Sequence, residues 1–82
     1  MKLTIADLGD TTIAVWQAIA EYERWHGYAP SFRDLVELCG LSSTSVAEYH
    51  VNRLEAAGVV RRTPGIARGM VLVRRPQLEV QP

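Results

Sequence analysis

The chain has 82 residues and a single cysteine, and its nine basic and nine acidic side chains give a formal net charge of zero. A chain this short forms one small domain, its one cysteine excludes an internal disulfide or a thiolate metal cluster, and no apolar run is long enough to span a bilayer. We therefore expect a small cytoplasmic domain that needs no cofactor or metal and has no membrane partner.

The charges are unevenly distributed along the chain. Acidic residues outnumber basic residues before Gly40, and the balance is reversed after Leu41. The bases of the second half are Arg53, Arg61, Arg62, Arg68, Arg74 and Arg75. A basic face can attract a polyanion although the whole chain is neutral. Ordinary solvated surface is the alternative explanation of these arginines.

The first predicted element is a helix from about Thr11 to Trp25. Apolar and aromatic residues recur on one side of it, at Val15, Ile19, Tyr22 and His26. We predict that Asp7 or Asp10 caps its start. Gly27 is predicted to end it in the left-handed conformation, and Trp25 is expected to cover the core.

Two further helices are predicted, separated by a tight turn. Ser31-Phe32-Arg33-Asp34 is the pattern of a capping box, which begins a short helix. Gly40 ends that helix, and Ser43 is predicted to cap the next one, with Thr44 as its first residue. The third helix should bury one stripe of residues, Ala47, Val51 and Leu54.

The opposite side of the third helix carries short or planar polar groups. They are Thr44, Ser45, Glu48, Tyr49 and Asn52. Such groups can read base edges in a DNA major groove, although an ordinary amphipathic surface helix has the same pattern. Two short helices around a glycine-containing turn favour a helix-turn-helix. In that arrangement the Ser31 end of the second helix is suited to a phosphate.

A β-hairpin is predicted after the third helix. Val59–Thr63 and Gly69–Val73 have strand propensity, with a Pro64-Gly65 turn and a loop between them. Arg61 or Arg62, and Arg68, flank the hairpin tip, where they can reach phosphates or a minor groove. The predicted fold is mainly α with a small β-hairpin, a three-helix winged helix-turn-helix.

Several of these stretches together resemble the N-terminal DNA-binding domain of the LexA repressor family. They are Gly27-Tyr28-Ala29-Pro30-Ser31, Gly40-Leu41-Ser42-Ser43-Thr44-Ser45, Leu54-Glu55-Ala56-Ala57-Gly58-Val59-Val60-Arg61-Arg62 and Arg68-Gly69-Met70-Val71-Leu72. The resemblance covers about Thr12 to Val73. It implies a winged helix-turn-helix that binds an operator and represses transcription, often of DNA-damage (SOS response) genes.

The resemblance also implies where bases are read, namely at Ser43, Ser45, Val46, Glu48 and Tyr49. Together with the residue patterns it predicts the following DNA-contacting set: Ser31, Arg33, Ser43, Thr44, Ser45, Val46, Glu48, Tyr49, Asn52, Arg53, Arg62 and Arg68. LexA-type repressors carry a second, self-cleaving domain with a serine–lysine dyad. The only lysine here is Lys2, so this chain is expected to lack that reaction. Residues 1–73 are predicted to form the domain and 74–82 a tail or linker.

Two functions are compatible with these features. The first is a double-stranded-DNA-binding transcriptional regulator, with a palindromic operator on which a second copy can pair. The alternative is a winged-helix interaction module that modulates a repressor or a larger assembly without binding DNA. An enzyme is not expected, because Cys39, His26 and His50 lie at scattered spacings that suit neither a nucleophile–base pair nor a metal site.

Overall fold

The computed structural model describes residues 5–63, 65–66 and 68–76. A single 3₁₀ turn, Ile5–Asp7, comes first. The helices are α1 (Gly9–His26), α2 (Phe32–Cys39) and α3 (Thr44–Ala56), and the strands are β1 (Val60–Arg62) and β2 (Met70–Leu72). The strands pair antiparallel. This order of three helices and a hairpin confirms the predicted winged helix-turn-helix.

The start of α1 differs from the prediction. Leu8 occupies the N-cap position, and no side chain makes a capping hydrogen bond there. The predicted cap by Asp7 or Asp10 is therefore wrong. Asp7 belongs to the preceding 3₁₀ turn and Asp10 lies inside the first turn of α1, where its charge can still favour the helix dipole. The other end is as predicted, since Gly27 adopts the left-handed conformation with φ 81°.

The two tryptophans of α1 differ in burial. Trp25 is 74% exposed, so the prediction that it covers the core is wrong. It lies about 120° around the helix from Ile19, whereas Trp16 lies about 60° from it. Trp16 is accordingly 4% exposed, and its Nε1 donates to the Arg74 carbonyl at 2.9 Å.

The core forms where the three helices and the hairpin meet. The predicted stripe of α3, Ala47, Val51 and Leu54, is fully buried. It packs with residues of the other elements, among them Leu8, Val15, Ile19, Leu35, Val59, Val60 and Met70. α3 thus buries one side completely while its other side remains available.

The hairpin continues directly from α3. Val60 pairs with Leu72 and Arg62 with Met70, so the strands are shorter than the predicted Val59–Thr63 and Gly69–Val73. The Thr63 amide donates to the Gly69 carbonyl at 2.6 Å and closes the loop. Pro64 and Ala67 of the predicted turn and residues 77–82 of the predicted tail lie outside the described residues, and the proposed domain boundary after residue 73 stays a prediction.

Candidate nucleic-acid interface

The start of α2 is held by the capping box that the sequence predicts. The Ser31 hydroxyl accepts from the Asp34 amide, and the Asp34 carboxylate accepts from the Ser31 amide, each at 3.0 Å. The Ser31 amide is the main cause that lowers the pKa of the Asp34 carboxyl, and it outweighs partial burial. The carboxylate is therefore charged at neutral pH and fixes the entry of the chain into α2.

The turn between α2 and α3 places the start of α3 at the surface. Gly40 ends α2 with φ 66°, and the Leu41 amide donates back to the Val36 carbonyl at 3.0 Å. Ser43 is extended, and its hydroxyl accepts from the Val46 amide at 3.2 Å. The predicted cap and first residue of α3 are both confirmed, and Ser43 already uses one acceptor site of its hydroxyl inside the protein.

The polar side of α3 is open to solvent. Six of the predicted base-reading or adjacent residues are exposed, namely Ser43, Thr44, Ser45, Glu48, Tyr49 and Asn52. Tyr49 is 55% exposed, and Val46 is half-buried. A duplex could therefore reach this side without any rearrangement of the helices.

Arg62 reaches from the hairpin to this open side. Its Nη1 donates to Asn52 Oδ1 at 2.7 Å, and Nη1 and Nη2 both lie 3.5 Å from Glu48 Oε2. Its guanidinium carbon lies 5.1 Å from the centre of the Phe32 ring. Arg62 is thus bound to α2 and α3, whereas the sequence pattern had suggested a side chain reaching outwards to phosphate.

Arg68 is also bound within the protein. Its Nη1 donates to Asp34 Oδ2 at 2.9 Å, to the Ala29 carbonyl at 3.1 Å and to the Tyr22 hydroxyl at 3.2 Å. The guanidinium lies 4.9 Å from the centre of the Tyr28 ring. These contacts join the hairpin loop to the end of α1 and the start of α2.

The remaining predicted arginines behave differently from each other. Arg53 donates to the carbonyls of Asp7 and Leu8 at 2.8 and 3.3 Å and lies over the Tyr49 ring at 5.7 Å. Arg33 is exposed and makes no ion pair with any residue that the structure describes. Of the four arginines in the predicted contact set, Arg33 is the one for which the described part of the chain provides no ion pair, hydrogen bond or ring contact.

The partners of these arginines are what sequence reasoning missed. Asp34, Tyr22 and the Ala29 carbonyl lie 34, 46 and 39 residues from Arg68. The Asn52 and Glu48 partners of Arg62 lie 10 and 14 residues away. No local pattern connects such pairs, although Glu48 and Asn52 stand four residues apart and so share a side of α3.

Cys39 and His50 both pack within the domain. Burial raises the pKa of the Cys39 thiol, which disfavours the thiolate. His50 Nδ1 lies 2.7 Å from the Thr12 hydroxyl, as a half-buried residue between α1 and α3. Over residues 5–63, 65–66 and 68–76, no cluster of His, Cys, Asp or Glu could hold a metal ion, and no helix is long and apolar enough to cross a membrane.

Comparison with known proteins agrees with this geometry. The family model of the LexA DNA binding domain matches residues 6–69. A LexA repressor of Stenotrophomonas maltophilia is 44% identical over 73 residues, which are 89% of this chain and 35% of that protein. LexA repressors of Xanthomonas campestris and Herpetosiphon aurantiacus are 41% and 36% identical, over 80% and 77% of this chain and 31% and 29% of their own lengths.

The chain spans about a third of the length of the curated relatives that it matches. The matched region contains all three helices, the turn between α2 and α3 and the first strand of the hairpin. These are the elements that present the open polar side of α3. The chain belongs to the LexA DNA-binding domain family.

Proposed function

We propose that this domain binds an operator sequence in double-stranded DNA and thereby represses transcription. The observation that carries the proposal is the open polar side of α3, which begins directly after a tight turn from α2. The relatives named above are LexA repressors, which supports repression. Control of DNA-damage genes is what membership of the family would imply for this chain.

In the proposed complex α3 lies in the major groove and its early residues meet the bases. Base edges would be read by Ser43, Ser45, Val46, Glu48 and Tyr49, with Thr44 and Asn52 beside them. The start of α2, with Ser31 and the unengaged Arg33, would meet a phosphate. Arg53, Arg62 and Arg68 are bound within the protein. In the proposed complex they would hold α3 and the hairpin in the positions that meet the DNA.

We further propose that the operator is palindromic and that a second copy binds its other half. One small domain with few unengaged cations makes few phosphate contacts and should bind weakly alone. Two half-sites about one helical turn apart would let two copies occupy one side of the duplex. Such binding places the domain with the chromosome in the cytoplasm.

A selection of bound sequences from a random duplex pool tests the proposal. We expect a consensus with two inverted half-sites, and a gel shift of that duplex at low salt. Replacing Ser45 and Tyr49 by alanine should relax preference at the bases they meet by about 1–3 kcal/mol. The measurement is the ratio of affinities for consensus and single-base variants of the duplex.

Gln17→Ala is the matched control, because Gln17 is an exposed polar residue on α1. It should leave both the affinity and the preference unchanged. Absence of any shift at low salt would contradict DNA binding and would favour the interaction module. An S45A/Y49A variant with the preference of the unaltered protein would instead contradict the placing of α3 in the groove.

A further inference from the structure

Arg62 lies where the hairpin, α2 and α3 meet. It is the last residue of β1. It lies two residues after Val60, so both side chains point to the same side of the hairpin, the side that faces α3. Val60 is buried there, and the Arg62 side chain keeps 30% of its accessible surface. The partly exposed guanidinium therefore lies at the edge of the polar surface of α3, beside Glu48 and Asn52.

The contact with Asn52 fixes which end of that amide faces outwards. A guanidinium has five donors and no acceptor, so the atom 2.7 Å from Arg62 Nη1 must be the amide oxygen. The Asn52 nitrogen has no hydrogen-bond partner in the part of the chain that the structure describes. Asn52 consequently offers two hydrogen-bond donors and no free acceptor lone pair on the guanidinium side.

The contact with Glu48 has the opposite consequence. Both Nη1 and Nη2 of Arg62 approach the same carboxylate oxygen, Oε2, at 3.5 Å. Oε1 accepts no hydrogen bond from any described residue. Glu48 therefore offers one acceptor, and the arginine charge reduces the repulsion that a carboxylate would feel from DNA phosphates.

Contacts from other elements hold Arg62 in this place. The Phe32 ring of α2 lies 5.1 Å from the guanidinium, within the range of a cation–π interaction. The Arg62 backbone amide lies 3.4 Å from Glu55 Oε2 of α3. The guanidinium is thus in contact with both α2 and α3, and the backbone is held by Glu55, so ordering the side chain on binding should cost less entropy.

We propose that Arg62 is a positioning residue for base specificity. It would orient Glu48 as an acceptor, suited to an amino group of cytosine or adenine, and Asn52 as a donor, suited to guanine or to thymine O4. The side chain would act through these two residues rather than on a phosphate. This inference rests on the proposed DNA-binding function.

The test compares R62A, R62K and R61A. Arg61 neighbours Arg62 on β1 but is exposed and makes no ion pair with a described residue, so R61A removes the same charge without this contact. In the free protein, the Asn52 side-chain amide resonances should move in R62A and stay in R61A. With DNA, affinities are measured for the selected operator and for every single-base variant of it.

We expect R62A to reduce discrimination at the bases next to Glu48 and Asn52 by about fivefold or more. R62K should recover most of the affinity, since it keeps the charge, but not the discrimination, since an ammonium lacks the planar fork. R61A should weaken all duplexes alike. When Glu48 and Asn52 are already replaced by alanine, R62A should no longer change base discrimination. It should then weaken binding to all duplexes alike, as R61A does.

Two results would overturn the inference. Asn52 resonances that do not respond to R62A would show that the contact is absent in solution, whether or not DNA binds. A uniform loss of affinity in R62A, equal to that of R61A, would make Arg62 a phosphate contact. Failure of the unaltered protein to bind any duplex would instead refute the proposed function, and the role in specificity with it, while the resonances still report on the contact.

Discussion

Thr12 and His50 form a hydrogen bond that joins α1 to α3. Thr12 is 2% exposed, and the Thr12 hydroxyl and His50 Nδ1 are 2.7 Å apart. Burial, with a smaller contribution from the Arg53 charge, lowers the pKa of His50 below its ordinary value of 6.5. Either the Thr12 hydroxyl or the His50 ring can donate in this bond, so protonation of His50 does not have to break it. Acid lowers the stability of the fold because it places a positive charge on a half-buried ring.

The lowered pKa predicts how stability depends on pH. The unfolded chain holds the His50 proton more tightly than the folded chain. The stability contributed by neutral His50 is therefore complete above pH about 6.5 and is lost as pH falls through the lower folded pKa. Denaturant unfolding of the unaltered protein and H50Q, between pH about 7 and about 5, should show a difference in unfolding free energy that shrinks in acid. A difference that stays constant would contradict this account.

At the scale of elements, Arg68 joins the hairpin loop to both of the first two helices. Its backbone is left-handed, with φ 57°, which is unusual for a residue other than glycine. The next residue, Gly69, has no room for a Cβ, which would lie 2.7 Å from the Ile66 carbonyl oxygen. The loop is thus tightly turned so that the guanidinium can reach Asp34 and Tyr22.

Removing these Arg68 contacts should release the hairpin loop and leave the helices and the paired strands folded. In R68A we expect backbone order parameters of the hairpin loop to fall from about 0.85 towards 0.6, because the guanidinium contacts that restrain the loop are lost. Affinity should fall for all duplexes alike, because Arg68 contacts neither Glu48 nor Asn52 and Arg62 keeps its place in β1. R61A serves as the matched control. An R68A loop as rigid as that of the unaltered protein would show that the strand pairing alone holds it.

At the scale of the whole molecule, three of the six arginines of the basic second half form ion pairs with acidic residues of the described part of the chain. Arg62 pairs with Glu48, Arg68 with Asp34 and Arg75 with Glu23. The uneven distribution of charge along the chain therefore does not become a strongly basic face. Attraction to DNA phosphates depends on a few cations such as Arg33.

This arrangement predicts which cations control the salt dependence of binding. Each phosphate contact adds about 0.9 to the slope of log affinity against log salt concentration. Arg33→Ala should lower that slope by about one unit. Arg24→Ala removes the same charge beside Arg75 and Pro76, in a groove along α1, and should leave the slope unchanged. Equal changes in both variants would mean that only the net charge matters.

The sequence by itself determined the local elements of this protein. The Ser31 capping box, the Gly40 turn, the Ser43 cap and the buried stripe of α3 all depend on groups within a few residues of each other, so their patterns are readable in order along the chain. The predicted aspartate cap of α1 was wrong, because Leu8 occupies the N-cap position. Membership of the family followed from the same local stretches.

Only the tertiary structure decided what the arginines do. Arg62 and Arg68 turn inwards because α2, α3 and the end of α1 bring carboxylate, amide and aromatic groups within reach of the hairpin. The partner of the Trp16 indole was decided in the same way, since the Arg74 carbonyl after β2 accepts its hydrogen bond from 58 residues away. Such choices depend on the relative positions of distant elements, which periodicity and capping do not encode.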